Sequence, residues 1–221
     1  MDVCEALRRR KSVRAFTSQG VDPDLIKEIL TSAGHAPSGV NTQPWNVLVL
    51  TGESKEQLQG QMEEVFRSGQ KGKMDYQYYP LEWQEPYKGR RKECGLQMYS
   101  ALEIAREDKE KQLNQWAANY RSFDAPVMLI FYMDGIMETG SFLDYGMFLQ
   151  SVMLAATEKG LATCPQAALA EYPDIVRDYA KLDENCKILC GISLGYEDET
   201  AAVNSYRTNR EPIDNWVKFL N

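Results

Sequence analysis

Three short apolar runs, separated by longer stretches with helical patterning, constrain the fold of this chain more than any other feature. They cover residues 46–50, 125–134 and 187–196. Runs of this length that are rich in branched and aromatic side chains are typical of buried strands. The longest run is also too short to cross a bilayer as a helix. The sequence therefore predicts a mixed α and β protein with no membrane segment.

Helical periodicity fills much of the remaining chain. Asp22 and Pro23 form a favourable helix start, and Gly34 and Gly160 stand where two of the helices should end. Residues 74–87 are irregular and aromatic. Because there is no internal repeat and no low-complexity linker, we expect a single domain over residues 1–221. The predicted helices cover residues 2–10, 22–33, 53–66, 94–120 with a break near Asp108, 142–159 and 173–182.

Composition argues against several classes of function. The net charge of −7 is unsuited to a general nucleic-acid-binding protein. The five cysteines contain no Cys-x-x-Cys pair and His35 is the only histidine, which disfavours both a metal centre and a histidine-based triad. An odd number of cysteines without a secretory signal favours a reducing, cytoplasmic location.

A basic cluster near the amino terminus stands out against the acidic composition. If residues 2–10 are helical, Arg10 shares the apolar face of Val3 and Leu7, where an unpaired cation is costly and needs an anionic partner. Beyond it, the side chains of Ser12 and Arg14 alternate as in an extended chain, so they can point the same way. Two interpretations stay open at this point: a phosphate cradle, or a solvated basic face around a helix end.

A second polar segment follows the predicted helix over residues 22–33. The segment Ala36-Pro37-Ser38-Gly39-Val40-Asn41-Thr42-Gln43-Pro44-Trp45 combines hydrogen-bonding side chains with a glycine and two stiffening prolines. A plain turn needs one glycine or one proline. This loop therefore suits a polar, planar ligand.

Together, Arg10-x-Ser12-x-Arg14-x-Phe16 and this loop resemble the amino-terminal signature of the FMN-dependent nitroreductase family. The resemblance continues in the same order along nearly the whole chain. The further matching segments are Phe123-Asp124-Ala125-Pro126, Asp144-x-Gly146-x-x-x-Gln150, Gly160-Leu161-x-Thr163-Cys164-Pro165-Gln166, Gly191-x-x-Leu194-Gly195-Tyr196, and Asn204 followed by Arg210-Glu211-Pro212.

The resemblance implies an α+β fold with a central, mostly antiparallel sheet flanked by helices, in an intertwined homodimer with FMN at its interface. Residues 70–120 correspond to the part in which the family varies most and where members carry a lid. The implied cofactor-binding residues are Arg10, Lys11, Ser12 and Arg14 with Arg207 and Arg210 around the phosphate and ribityl chain, Pro37, Ser38, Gly39 and Asn41 reaching the flavin of the other subunit, and a turn of Pro165, Gln166 and Ala167 along the ring.

The implied activity is reduction of nitroaromatic, quinone or related acceptors by NADH or NADPH in a ping-pong scheme. No side chain is assigned as catalytic and no metal is expected, because FMN carries the electrons. The alternatives are the same flavin fold with another reaction, such as ene reduction or dehalogenation, and a non-catalytic flavin-binding protein. Two further sets of residues bear on substrate choice and assembly. The aromatic residues of the variable part either stack on flat acceptors or pack that part onto the rest of the chain; they are Tyr76, Tyr78, Tyr79, Trp83 and Tyr87. The second set forms an apolar stripe at helical spacing that is expected to dock across the partner subunit; its residues are Ile213, Trp216, Val217 and Leu220.

Overall fold

A computed structural model describes residues 1–220, so residue 221 of the predicted domain lies outside the described residues. The described chain forms one antiparallel sheet in the order β1-β2-β4-β3. The strands are β1 (Asn46–Thr51), β2 (Val127–Met133), β3 (Ala162–Gln166) and β4 (Lys187–Gly195). The predicted α+β class with an antiparallel sheet is confirmed.

Seven α-helices surround this sheet within residues 1–220: α1 (Val3–Arg9), α2 (Pro23–Ala33), α3 (Gly52–Arg67), α4 (Tyr87–Ala101), α5 (Lys109–Ala117), α6 (Gly140–Glu158) and α7 (Pro173–Ala180). The predicted start of α2 is confirmed, since Asp22 caps the helix by accepting a hydrogen bond from the Asp24 N–H and Pro23 occupies its first turn. Within the described residues, no helix combines the length and the apolar character that a membrane span requires.

The two central strands separate two apolar layers. Side chains alternate along β2, so that Leu129 and Phe131 pack towards α2 and α6, whereas Met128 and Ile130 pack towards α3 and α7. Strands β2 and β4 are almost wholly buried, which explains why both appear in the sequence as continuous apolar runs.

The prediction of a turn of Pro165, Gln166 and Ala167 was wrong in part. Residues up to Gln166 form the edge strand β3, and a 3-10 turn, Ala167–Ala170, follows directly. Pro165 pairs with Ile192 of β4 on one side only. An edge strand tolerates proline because it needs hydrogen bonds towards a single neighbour.

Three other features of the helical segments differ from the prediction. The helix expected over residues 94–120 begins earlier, at Tyr87, and is interrupted between Ala101 and Lys109 rather than only near Asp108. The carboxy-terminal stripe is not helical beyond a short 3-10 turn, Ile213–Asn215, and its large side chains are exposed on this chain. In α1 only Ala6 is buried, while Val3 and Leu7 are exposed.

Candidate functional site

Basic residues from both ends of the chain converge on one small cavity, which we call the arginine cradle. Its volume is about 120 Å³. The residues after α1 form one wall, and residues 206–210 form the opposite wall together with Cys94 of α4. The predicted residues that line it are Arg10, Lys11, Ser12, Arg14, Arg207 and Arg210. The structure thus brings six sequence-predicted residues together, from positions almost 200 residues apart.

The cradle carries an excess of positive charge. Burial lowers the pKa of Arg10, and the nearby guanidinium groups of Arg210 and Arg207 lower it further. Within residues 1–220, no carboxylate lies within ion-pair distance of the cradle arginines. The ammonium of Lys11 is engaged elsewhere, 2.6 Å from a carboxylate oxygen of Glu197. Arg10 and Arg14 are partly buried and Arg207 and Arg210 are exposed, and an anion such as phosphate would stabilise this cluster of like charges. The residues present therefore fit a phosphorylated ligand.

Buried Asn204 holds the two walls together. Its side-chain amide donates hydrogen bonds to the carbonyls of Ala15 and Asp198, at 2.8 and 2.9 Å, and its oxygen accepts one from the Arg14 N–H at 2.8 Å. Its backbone carbonyl accepts from the Lys11 ammonium at 2.7 Å. Apart from the presence of Asn204 in a matching segment, nothing in the sequence indicates this role, because Lys11, Arg14 and Ala15 lie about 190 positions away.

Arg207 closes the end of α1 rather than pointing only into the cavity. Its guanidinium donates hydrogen bonds to the carbonyls of Arg8, Arg9 and Arg10, with nitrogen–oxygen distances of 2.5, 3.0 and 2.7 Å. The last carbonyls of a helix have no partner within the helix, so a cation with several donors is a favourable cap. The expectation that Arg10 lies on the apolar helical face was wrong, because α1 ends at Arg9 and Arg10 is the cap residue.

Strand β3 connects the cradle to the second part of the site. The Val13 N–H donates to the carbonyl of Thr163 at 3.0 Å, which fixes the cradle segment along the strand. Next to it, burial raises the pKa of the Cys164 thiol to about 11, and the nearby Arg14 guanidinium opposes only part of this shift. Cys164 is therefore a neutral, packed side chain.

The segment after Cys164 is held rigidly. The side-chain amide of Gln166 donates to the Asn119 carbonyl at 2.9 Å, and its oxygen accepts from the Ser193 hydroxyl. Gly191 lets the following 3-10 turn approach β4, since a β-carbon there would lie 2.4 Å from Cδ1 of Leu169. Pro165 and Ala167 consequently present a fixed surface.

That surface forms one wall of a larger opening, which we call the apolar cavity. Its volume is about 600 Å³. Tyr76, Tyr78 and Phe142 form an aromatic wall, and Leu149 of α6 adds an aliphatic one. Of the aromatic residues that the sequence left open, Tyr76 and Tyr78 line this cavity, while Tyr79 and Trp83 continue the row of ring contacts away from it.

The loop 36–45 lies elsewhere on the described chain and lines neither opening. The Gly39 N–H donates to buried Asp144 at 3.1 Å, and the Ser38 hydroxyl accepts from the Gln43 N–H at 2.9 Å. Val40 and Asn41 have φ angles of 44° and 58°, a left-handed conformation that is strained for a branched residue such as valine. The Val40 side chain is also 98% exposed. Within this loop, Val40 is therefore an exposed apolar residue in a strained conformation.

Comparison with known proteins supports the same family as the resemblance in the sequence. The nitroreductase family model matches residues 7–196. The chain is 37% identical to the 4-nitrobenzoate reductase of Pseudomonas putida over 211 residues, covering 96% of this chain and 92% of that protein. It is 36% identical to the chloronitrobenzene nitroreductase of Comamonas testosteroni, covering 98% and 96%.

Solved structures agree with the sequence relatives. The FMN and NADPH-dependent nitroreductase NfnB from sphigopyxis sp. strain HMH is 39% identical and superposes with a TM-score of 0.97 over the full length of both chains. The FMN-dependent NfnB from Mycobacterium smegmatis, solved in complex with NADPH, is 33% identical with a TM-score of 0.93, again over both full chains. The chain therefore belongs to the nitroreductase family.

Proposed function

We propose that the protein is an FMN-dependent NAD(P)H oxidoreductase that reduces aromatic nitro compounds. The observation that carries the proposal is that two openings are joined through strand β3. One is a cationic cradle sized for a phosphate group, whose segment is hydrogen-bonded to Thr163, and the other is an apolar, aromatic cavity beside Pro165 and Ala167. A flavin mononucleotide has matching parts, a phosphate at one end and a flat ring at the other. The relatives described above support the same activity, since the two enzymes from Pseudomonas putida and Comamonas testosteroni are named for the reduction of nitro compounds and both NfnB structures are described as FMN-dependent.

In this proposal Arg10, Ser12, Arg14 and Arg210 hold the phosphate, while Arg207 and Asn204 hold the walls of the cradle in place. Gln166 keeps the segment of Pro165 and Ala167 rigid where the ring would lie. FMN, when bound, supplies the centre that accepts and delivers hydride. The protein contributes binding, orientation and exclusion of water through the aromatic wall.

Donor and acceptor would use the same cavity in turn. The described residues offer one large apolar opening beside the ring segment, so the nicotinamide donor has to leave before the acceptor enters. This supports a ping-pong order. Quinones share the flat, electron-poor character of nitroarenes and would be accepted in the same way. Both structural relatives described above bind or use NADPH, which makes NADPH the first donor to test.

We further infer that the active form is a homodimer. The exposed, left-handed loop around Val40 and the exposed carboxy-terminal side chains of Trp216 and Phe219 leave apolar surface that a second copy would cover. In that dimer Pro37, Ser38, Gly39 and Asn41 would reach the flavin held mainly by the other subunit.

The proposal is tested by titrating the purified protein with FMN and then adding NADPH or NADH without oxygen. We expect stoichiometric flavin binding, loss of the yellow colour with at least one donor, and its return when a nitroarene is added. A protein that binds FMN but is inert to both donors would instead be a flavin-binding protein. A protein that does not take up FMN would refute the proposal.

A further inference from the structure

The segment that leads into the aromatic wall is fastened along β4. We call this segment, residues 70–76, the strap. The Asp75 carboxylate accepts a hydrogen bond from the Ile188 N–H at 2.8 Å, and the Tyr76 hydroxyl donates to the Leu189 carbonyl at 2.6 Å. Strand β3 pairs with the later residues of β4, so the strap occupies the part of β4 that β3 does not reach. Side chains of the strap therefore determine where the aromatic wall begins.

Arg177 of α7 holds the Asp75 carboxylate in this position. Its Nη1 lies 2.7 Å from Oδ2 of Asp75 and also donates to the Cys186 carbonyl at 2.9 Å, while its Nη2 lies 2.6 Å from Oδ1 of Asp174. The side chains of Arg177 and Asp75 are 12% and 18% exposed, whereas that of Asp174 is 88% exposed. The buried member of this cluster is thus the Arg177–Asp75 pair, and removing one partner of a buried pair leaves the other charge uncompensated.

The pair is also firmly ionised. Burial works against the charged form of Arg177, but its hydrogen bonds to Asp75 and Asp174 outweigh that effect and raise the pKa of the guanidinium above its ordinary value. Arg177 is therefore a permanent cation with a fork of donors, which fixes the direction of the Asp75 carboxylate as well as its distance.

The start of the strap is held by separate contacts. The Tyr172 hydroxyl donates to the Gln70 carbonyl at 3.0 Å. Gly72 packs so closely on the chain that a β-carbon there would collide with the backbone of Glu171. Loss of the Asp75 contacts should consequently free the end of the strap and the wall beyond it, while the start stays in place.

The rings of the wall follow directly from the end of the strap. The Tyr76 ring lies 4.9 Å from that of Phe142 and 6.1 Å from that of Tyr78, and all three residues line the apolar cavity. From Tyr78 the row of rings continues to Tyr79, and both of these side chains are exposed. Tyr76 thus connects an exposed row of rings to the body of the chain. These contacts join residues of one subunit, so they do not depend on which residues a partner adds to the cavity.

We propose that Arg177, acting through Asp75, is a positioning residue for the acceptor, because the buried pair fixes Tyr76 and with it the wall on which an aromatic acceptor stacks. The proposal rests on the proposed function. Arg177 itself is not among the described residues that line the apolar cavity or the arginine cradle. Its loss should therefore slow the reaction with aromatic acceptors without a matching loss of FMN affinity.

Two aspartates that share one guanidinium provide matched variants. Asp75→Ala removes the carboxylate that holds the strap, whereas Asp174→Ala removes the exposed carboxylate and leaves the contacts of the strap in place. The FMN-loaded proteins are reduced with dithionite and mixed with para-dinitrobenzene in a stopped-flow instrument. The second-order rate constant of reoxidation should fall about tenfold in Asp75→Ala, because a displaced wall no longer orients the acceptor, and should stay within about twofold in Asp174→Ala.

Two controls report on the flavin itself. Dioxygen needs no aromatic wall to stack on, and the arginine cradle is untouched in both variants. The rate constant of reoxidation by dioxygen and the FMN dissociation constant should each change by less than about threefold.

Hydrogen exchange followed by mass spectrometry separates positioning from general stabilisation. In Asp75→Ala, exchange over residues 74–80 should be at least about fivefold faster, with no change in the buried strand β2, and Asp174→Ala should show neither effect. If Asp75→Ala does not fold, Arg177→Lys is the second variant. It keeps a cation but loses the fork that reaches both Asp75 and the Cys186 carbonyl, so the rate constant with para-dinitrobenzene should fall about threefold.

Equal rate constants with para-dinitrobenzene in Asp75→Ala and Asp174→Ala would overturn the positioning proposal. An equal fall with dioxygen, or exchange that rises as much in β2 as in residues 74–80, would overturn it too, since either result means a general loss of structure. If the unaltered FMN-loaded protein is reoxidised by no nitroarene, the proposed function fails instead. The exchange comparison then still decides whether the Arg177–Asp75 pair fixes the wall.

Discussion

The hydrogen bonds of Arg207 lead to a sharp prediction about how the cradle works. Arg207 donates to three carbonyls at the end of α1, the point from which the Arg10 side chain enters the cradle. If Arg207 positions Arg10, then its planar fork of donors matters, and its charge alone does not suffice. Arg207→Met removes both the fork and the charge, and Arg207→Lys removes only the fork.

The magnitude follows from the contacts. Hydrogen bonds of a charged donor are worth up to about 1.5–3 kcal/mol each, but Arg207 is solvent-exposed, so we take a total of about 1–2 kcal/mol for the three together. If this energy orders the Arg10 segment for binding, its loss raises the FMN dissociation constant by roughly five- to thirtyfold. Lysine has one ammonium and no fork, so Arg207→Lys should lose most of the same affinity.

The assay is quenching of flavin fluorescence at constant ionic strength. Arg8→Met is the matched control, because it removes one exposed positive charge from the same helix without touching the cradle. Its effect should stay within about twofold, as expected for a screened surface charge. Riboflavin, which lacks the phosphate, shows whether the lost affinity depends on the cradle.

The reasoning would be refuted if Arg207→Lys bound FMN as the unaltered protein does while Arg207→Met did not. That outcome would mean that Arg207 acts through its charge on the phosphate. Unchanged binding in Arg207→Met would refute both roles.

Three other predictions concern packing, assembly and pH. Gly191→Ala should destabilise the fold by about 1–3 kcal/mol in urea unfolding, because the new β-carbon would meet Leu169 and the Leu129 carbonyl, whereas Gly60→Ala in α3 has open space and should be neutral or stabilising. Deleting residues 212–221 should weaken dimerisation and FMN retention, as followed by light scattering and flavin content; a truncated protein that stays dimeric and yellow would contradict this. Because burial raises the pKa of Cys164 from 9.0 to about 11, stability is fully present below pH 9 and should fall as the pH rises towards 11. Cys164→Ala should reduce that loss in urea midpoints measured between pH 8 and 11; an equal slope in both proteins would argue against the thiol.

The sequence was most informative where local patterning and burial agree. Strands β2 and β4 are buried on both faces, so their residues are apolar without interruption and were recognisable at once. Strand β3 was missed because it is short, lies at the sheet edge and contains Pro165, features that also describe a turn. The helical spacing of Ile213, Trp216 and Leu220 was misleading, since spacing alone does not form a helix in a segment without burial on its own chain.

The same distinction holds within the site. Which residues form the cradle could be proposed from the order of matching segments, but their arrangement could not. Asn204 joins Arg14 and Ala15 to the carboxy-terminal segment through contacts between residues about 190 positions apart, which no local pattern reveals. For Arg207, the sequence suggested a cation near a phosphate, whereas the structure adds a helix-capping role that depends on where α1 ends.

The contrast between the two openings has a consequence for how such a site would turn over. The cofactor must stay bound through many cycles, and the arginine cradle concentrates positive charge for it in a chain whose net charge is −7. The acceptor, by comparison, must leave after each reduction so that the next donor can enter. A cavity whose described lining carries no charged side chain binds a flat ring largely through apolar contact, which is weaker and more readily reversed than binding through paired charges. Among the described residues, cations therefore line the opening where the proposed ligand would be retained, and none lines the opening where ligands would exchange.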